Sequence, residues 1–217
     1  MSTSAETEGD GAAQPSHLSH GLVAYLAVTA AVSGALVMVI EVVGSRVIGP
    51  FFGVSLFVWT SLITVTLVSL GLGYAAGGLL ADRKPSPDVL YGLLGLAGAA
   101  VLLVPFLKAP VLQSAMPLGL RSGALLGSLL LFGPSLFLLG CVPPFVVKLA
   151  ATELRRIGRT VGLFSALSTF GSFAGTLATG YLLIGHLAVS RIFVLVGASL
   201  LALAAVYFAV FRGRRLA

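Results

Sequence analysis

The chain has 217 residues, of which 58% are hydrophobic and only 9% are charged, and its formal net charge is +6. A soluble domain carries about 25% charged residues. This composition therefore excludes an ordinary water-soluble globule and a disordered chain, and the single cysteine excludes a disulfide scaffold. The basic residues form no large patch, so we expect no nucleic-acid partner. The sequence predicts an integral membrane protein, in which Lys and Arg report topology.

The first 20 residues differ in composition from the rest of the chain. They contain Glu6, Glu8 and Asp10 among small and polar residues, with no Lys or Arg. A secretory signal peptide begins with basic residues. We therefore expect residues 1–20 to form a disordered cytoplasmic tail rather than a signal peptide.

Six long runs of the chain contain no Asp, Glu, Lys or Arg: residues 11–40, 47–81, 89–107, 122–147, 160–190 and 192–211. The first of these becomes apolar near Gly21. A helix needs about 20 apolar residues to cross a hydrocarbon core of about 30 Å. We predict an all-α transmembrane domain over residues 21–211, followed by a basic cytoplasmic stub, 212–217. The six predicted helices span residues 21–48, 54–81, 89–107, 122–149, 159–184 and 188–211.

The basic residues are divided unequally between the two sides of this arrangement. Four of them, Arg46, Lys108, Arg121 and Arg191, fall on the side reached by the end of the first helix. The other nine are Arg83, Lys84, Lys148, Arg155, Arg156, Arg159, Arg212, Arg214 and Arg215. Because cytoplasmic loops carry the excess of Lys and Arg, we expect both termini to face the cytoplasm.

The first predicted helix contains two ionisable residues, Glu41 and Arg46. A charged side chain inside a spanning segment is costly and usually faces protein or water. The five-residue spacing does not bring the two together on one face, and the position of Glu41 suggests a site near the outer interface. One hypothesis is a structural ion pair between Glu41 and an outer cation, with Arg191, Arg121 and Lys108 as candidates. The other is a proton or cation site in an outward cavity.

Small residues recur at spacings that permit close helix contacts. Gly73 and Gly77 form a GxxxG motif in the second helix, and Gly171 and Gly175 form another in the fifth. Hydroxyl side chains follow one face of the fifth helix at Ser165, Thr169, Ser172, Thr176 and Thr179. Such faces serve packing inside a bundle or association between chains. We predict that the chain associates with a second copy or another membrane subunit through them.

Little else in the sequence points to chemistry. Cys141 stands alone in an apolar run and His186 lies near a helix end, so both are interpreted as structural. We predict no catalytic residue, no metal site and no cofactor. Pro134 and the pair Pro143–Pro144 are expected to kink or break the fourth helix, and residues 108–121 are expected to form a short outer loop on the membrane surface.

The end of the second helix resembles part of a known signature. Gly78 to Asp82 and Arg83, followed by Lys84, resembles the first half of the loop 2–3 motif of major facilitator transporters, whereas residues 85–87 replace its second half. Six helices with both ends inside also correspond to half of a major facilitator bundle, which has twelve.

A longer resemblance extends over nearly the whole chain. Residues 41–60, 71–83, 139–145 and 162–171 are similar, in this order, to the membrane region of bacterial fused transporter-like/spermidine-synthase proteins. In that family a soluble aminopropyltransferase-like domain commonly follows. Only Leu216 and Ala217 follow Arg215 here, so we expect no aminopropyltransferase activity. The resemblance implies a location in the bacterial inner membrane.

Two functions agree with these observations. The first is a transporter-like module for a small organic cation such as a polyamine, acting as a dimer or with a partner. The second is a non-transporting accessory or anchoring subunit of a larger membrane complex or of a separate synthase. No carboxylate occurs in residues 53–80, 89–106 or 122–147, which leaves Glu41 and Tyr74 as the polar candidates for a transport path.

Overall fold

A computed structural model of the chain describes residues 20–151 and 157–212, which form helices and no strands. The helices are α1 (His20–Phe52), α2 (Leu56–Arg83), α3 (Pro87–Ala115), α4 (Gly119–Gly140), α5 (Val142–Ala150), α6 (Ile157–Ala178) and α7 (Val189–Val206). A π-helical turn, Thr179–Leu183, and the short helix Ile184–His186 prolong α6, and a second π-helical turn, Tyr207–Phe211, prolongs α7. The predicted N-terminal tail, most of the predicted stub and the cations at 155 and 156 lie outside the described residues.

In the part of the chain that the structure describes, five helical stretches are long and apolar enough to cross a membrane: Gly21–Phe52, Leu56–Arg83, Pro87–Ala150, Ile157–His186 and Val189–Phe211. This confirms the prediction of an all-helical chain suited to a membrane. The third stretch has 64 residues and includes α3, α4 and α5, where the sequence predicts two separate spans.

The chain reverses direction between α3 and α4. A 3-10 turn, Met116–Leu118, leads to Gly119, whose φ of 80° suits a glycine. Beyond this turn, a Cβ atom added to Gly123 would lie 2.5 Å from the carbonyl oxygen of Ala115. One added to Gly127 would lie 2.7 Å from Leu112. The start of α4 therefore packs against the end of α3, antiparallel to it.

Local sequence explains the sharp boundary between α2 and α3. The backbone N–H of Lys84 bonds the carbonyl of Leu80 and closes α2, and Pro85 follows. Ser86 then caps α3, because its hydroxyl accepts a hydrogen bond of 3.2 Å from the backbone N–H of Asp88. Pro87 occupies the first turn, where a missing N–H costs nothing.

One prediction for the middle of the chain needs correction, and another is confirmed. The predicted surface loop 108–121 is largely helical, since α3 continues to Ala115 through Pro105 and Pro110. The buried side chains of Leu112 and Ala115 pack toward α4 and hold this extension. The break expected in the fourth helix is found at Cys141, two residues before the first of the two consecutive prolines, whereas Pro134 lies inside α4.

Side-chain contacts define two ends of the bundle. At the N-terminal end, where α1 begins, the Tyr207 hydroxyl donates to Asp88 at 2.6 Å, and Lys148 pairs with Asp82 at 2.7 Å. At the opposite end, the Lys108 ammonium donates to Ser190 at 2.9 Å. The main helix pairs are α1 with α6, α2 with α4, and α3 with both α4 and α7.

Helix α6 lies at the edge of this bundle. Only 11% of its most apolar stretch is buried, against 39–44% in the other four stretches that could cross a membrane. Phe170 and Tyr181 are 72% and 80% exposed. Its contact with the rest of the chain is mainly with α1, so most of its surface is left for lipid or for another protein.

Candidate functional site

A cavity of about 330 Å³ lies between α1, α2, α5 and α6. Three polar residues that the sequence analysis singled out, Tyr74, Ser165 and Thr169, contribute to its wall. The full lining is Ala30, Ser33, Tyr74, Val142, Pro143, Pro144, Val146, Val147, Phe164, Ser165, Ser168 and Thr169. The structure therefore brings together predicted residues from two helices that are distant in sequence.

The cavity occupies the half of the bundle nearest the N-terminal end. Ala30 is ten residues after the start of α1, Tyr74 is nine before the end of α2, and Ser165 is eight after the start of α6. At 1.5 Å per residue these positions lie about 12–15 Å from that end. The fourth wall is α5, which exists as a separate helix because two consecutive prolines interrupt the chain after α4.

The cavity wall offers hydroxyl groups and apolar surface. The Ser33 hydroxyl donates to the Ala30 carbonyl at 3.1 Å, and the Thr169 hydroxyl donates to the Ser165 carbonyl at 2.9 Å. Each oxygen still has acceptor capacity for a bound molecule. Tyr74 is 49% exposed. None of the lining residues carries a formal charge, so the wall can hydrogen-bond and stack on a solute but supplies no counter-charge.

The other half of the bundle is closed at the corresponding position. A Cβ atom added to Gly44 of α1 would lie 3.2 Å from both Leu62 of α2 and Phe132 of α4. The small space beside these contacts has no room for a water molecule, and it is lined by Ile40, Glu41, Leu62, Val65, Thr66, Phe132 and Leu136. Helices α1, α2 and α4 thus meet in direct contact there.

Glu41 lies deeper in the bundle than the sequence analysis expected. Its neighbour Thr66 is ten residues into α2, about 15 Å from the start of that helix. Another neighbour, Phe132, is thirteen residues into α4, about 20 Å from its start. A spanning helix crosses about 30 Å of hydrocarbon, so Glu41 lies nearer the middle of the span than its end, and the residue is partly exposed.

The predicted ion pair of Glu41 is absent from the residues that the structure describes. The ion pair found there joins Lys148 and Asp82. Of the candidate partners, Lys108 bonds Ser190, and Arg121 lies 4.5 Å from the centre of the Phe57 ring. The remaining outer cations, Arg46 and Arg191, are exposed. The prediction failed because Glu41 faces α2 and α4 at a depth that these cations do not reach.

The GxxxG glycines, through which the sequence predicts association with a partner, pack against helices of the same chain. A Cβ atom on Gly73 would overlap the Phe137 carbonyl oxygen, and one on Gly77 would lie 2.5 Å from Cys141 Cα. These contacts form an α2–α4 seam. Gly171 and Gly175 likewise meet the backbone of α1, at Ala31 and Ala35 respectively. Close approach is the use the spacing indicates, but the partner is a helix of the same chain.

The hydroxyl stripe of α6 is divided between two roles. Ser172 donates a hydrogen bond of 3.0 Å to the Gly34 carbonyl of α1, and Thr179 is fully buried and donates to the Gly175 carbonyl at 2.6 Å. Thr176 donates to the Ser172 carbonyl. Ser165 and Thr169 lie at the cavity instead. The stripe therefore packs on α1 in one half of the bundle and lines the cavity in the other.

The motif at the end of α2 joins two walls of the cavity. Asp82 and Lys148, the latter on α5, form the ion pair at 2.7 Å, with both side chains largely exposed. An exposed pair of this kind stabilises by about 0.2–1 kcal/mol. Arg83 and Lys84 are exposed, and a Cβ atom on Gly78 would meet no atom within 4 Å. Of the motif, Asp82 is thus the member with a described contact to another helix.

The sequence analysis missed a buried tyrosine cluster at the N-terminal end. The rings of Tyr91 and Tyr207 stack with centroids 4.2 Å apart, and the Tyr25 ring is 5.3 Å from that of Tyr91. The Tyr91 hydroxyl is 3.0 Å from that of Thr29, and the Tyr25 hydroxyl donates to the Leu203 carbonyl. The cluster ties α1, α3 and α7 together. A usable signal was present, since all three tyrosines lie near the same predicted end of their helices.

Comparisons with protein-family models, with curated proteins and with solved structures found no match. Among the described residues, no three His, Cys, Asp or Glu side chains are grouped in a way that could hold a metal ion. The features that indicate a function are therefore the cavity, the closed half of the bundle beyond it and Glu41.

Proposed function

We propose that the chain crosses the membrane six times, with α3 and α4 as separate crossings and with both termini on the cytoplasmic side. The antiparallel packing of Gly123 and Gly127 on the end of α3 supports two crossings within Pro87–Ala150. The nine-to-four division of Lys and Arg supports the orientation. Reporter fusions after Ala150 and after Ala217 are expected to report the cytoplasm. A periplasmic signal from either fusion would contradict this topology.

The proposed function is that of a transporter-like module. The observation that carries it is the cavity, which is formed by four helices in one half of the bundle, while the other half is closed by direct contact of α1, α2 and α4. A solute path that is open on one side and closed on the other is the arrangement that alternating access requires. In the proposed orientation, the cavity serves the cytoplasmic side.

The lining narrows the substrate class. A polyamine carries several positive charges, and the wall that this chain contributes has no carboxylate to pair with them. Hydroxyls together with the rings of Tyr74 and Phe164 suit a small organic solute with at most one positive charge, which the rings can hold by cation–π contact. A polyamine substrate would need carboxylates from a partner subunit.

A second chain is part of this proposal, because one bundle encloses the cavity only in part. The sparsely buried surface of α6 lies beside the cavity and suits contact with another copy. The alternative function, an accessory or anchoring subunit, draws support from the same surface. Its exposed aromatic residues, Phe170 and Phe173, would then contact a different membrane protein.

Cysteine labelling tests whether water reaches the cavity. With Cys141 replaced by Ser, we expect Ser165→Cys and Thr169→Cys in proteoliposomes to react with a membrane-impermeant maleimide from the cytoplasmic side only. Ser199→Cys is the matched control, because it lies on an exposed face of α7 where lipid excludes water. If Ser165→Cys, like the control Ser199→Cys, reacts with the maleimide from neither side of the membrane, the cavity assignment is wrong.

Uptake by proteoliposomes separates the two functions. We expect accumulation of a monovalent organic cation such as tetraethylammonium, with spermidine taken up weakly. Tyr74→Ala should reduce uptake about tenfold, corresponding to the loss of about 1–1.5 kcal/mol of ring contact. Phe106→Ala, a change at an exposed ring of α3 away from the α6 surface, should have no effect. Absence of any uptake, together with a stable co-purifying membrane protein, favours the accessory function instead.

A further inference from the structure

Glu41 and the cavity lie on the same face of α1. Ala30, which lines the cavity, and Glu41 are eleven residues apart. At about 100° per residue this separation amounts to three turns plus about 20°, and it advances along the axis by about 16 Å. The carboxyl therefore lies directly beyond the cavity, on the side where the bundle is closed.

Among residues 20–151 and 157–212, no cation lines the space of Glu41. Of the residues that line its space, the polar one besides Glu41 is Thr66. Charged groups on the helices that form this space are distant or engaged: on α2 they are Asp82 and Arg83 at the far end, and on α4 Arg121 lies over Phe57. On α1 itself, Arg46 is exposed and points to another side of the helix.

Two other hydroxyls of α2 and α4 are committed to their own helices. The Ser61 hydroxyl donates to the Phe57 carbonyl at 2.8 Å, and the Ser135 hydroxyl donates to the Phe132 carbonyl at 2.9 Å. An ionised carboxylate at this depth would thus have no counter-charge, and of the residues that line its space only Thr66 offers a hydroxyl as donor. The ordinary response of a carboxyl in such surroundings is to take up a proton and become neutral.

We propose that Glu41 is a proton-binding site whose occupancy follows the packing of α1 against α2 and α4. In the closed arrangement the carboxyl carries its proton. When α1 separates from these two helices, water enters, and the proton leaves the carboxyl oxygen for that water, so that a carboxylate remains. This inference deepens the proposed function and rests on it for one point, namely that the same separation opens the path to the solute.

Infrared spectroscopy tests the protonation without any solute. Protein in lipid nanodiscs at neutral pH should show the C=O stretching band of a protonated carboxylic acid, shifted by deuterium exchange. The band should be missing in Glu41→Gln and retained in Asp82→Asn, which removes an exposed carboxylate. Glu41→Asp, which keeps the carboxyl, should restore a band if the bundle folds. Absence of the band in the wild-type protein, or its persistence in Glu41→Gln, would overturn the proposal.

Transport in an imposed pH gradient tests the coupling. Uptake by the wild-type protein should respond to the gradient, whereas uptake by Glu41→Gln should not. Equal responses in both proteins would overturn the coupling even if the band is present. Absence of uptake by the wild-type protein at every pH, with the band present, would contradict the proposed function and leave the proton site standing, because the band is measured without solute.

Discussion

Replacing Gly171 with leucine is expected to disrupt the bundle. A Cβ atom at this position already overlaps the backbone carbonyl of Ala31, so the larger side chain cannot be accommodated by a rotamer change. Helices α1 and α6 would have to separate and would lose the hydrogen bond from Ser172 to Gly34 as well. Overpacking typically costs about 1–3 kcal/mol, and we expect a loss at or above the top of that range because the obstacle is backbone. The free energy of unfolding, from a denaturant titration in mild detergent, measures this loss.

Gly162→Leu is the matched control for this experiment. It is the same change on the same helix, but a Cβ atom there meets no atom within 4 Å. It should change the free energy of unfolding by no more than about 0.5 kcal/mol. Equal stability of the two variants would show that the α1–α6 seam is not packed as described.

Replacing Tyr91 with alanine is expected to have the second large effect. Its side chain is fully buried, stacks on Tyr207 and touches Tyr25. Truncation of a buried aromatic ring costs about 3–5 kcal/mol. In a membrane protein the loss is one of packing rather than of hydrophobic burial, so we expect about 3 kcal/mol. The free energy of unfolding from a denaturant titration in detergent micelles measures it.

Two further variants divide this effect into its parts. Tyr91→Phe keeps the ring and removes the hydroxyl that faces Thr29, at an expected cost of about 0.5–1.5 kcal/mol. Tyr181→Ala truncates a ring that is 80% exposed and should change the free energy of unfolding by no more than about 0.5 kcal/mol. If Tyr91→Ala lowers the free energy of unfolding no more than Tyr181→Ala does, the tyrosine cluster does not stabilise the bundle.

The helical class and most helix positions were predictable because charged residues avoid the hydrocarbon core. The error at residues 108–115 arose because the predicted helix was ended with the charge-free run, directly before Lys108, whereas α3 continues through Pro110. Proline removes one backbone donor, but a neighbouring helix can stabilise the turn around it. Here α4 packs on Leu112 and Ala115, a tertiary contact that no local pattern reveals.

The candidate site was predictable only in part. Tyr74, Ser165 and Thr169 were singled out as polar groups in apolar helices, and they do line one cavity. Its fourth wall, α5, was not foreseen, because the prolines predict a break but not the direction in which the chain continues. Similarly, the GxxxG spacing predicts a close contact without naming the partner helix, and Gly171 found its partner at Ala31 within the same chain.

The two glycine seams have a mechanical consequence. Along α6, the small contact residues Gly171 and Gly175 are preceded one turn earlier by Leu167 and followed one turn later by Thr179. A one-turn slide along α1 would force one of these larger side chains against the backbone of α1, so the register of the pair is locked. The contact of Gly73 with Gly140 fixes α2 on α4 in the same manner. Since these two locked pairs supply three of the four cavity walls, rocking one pair against the other would change the width of the cavity without changing either register.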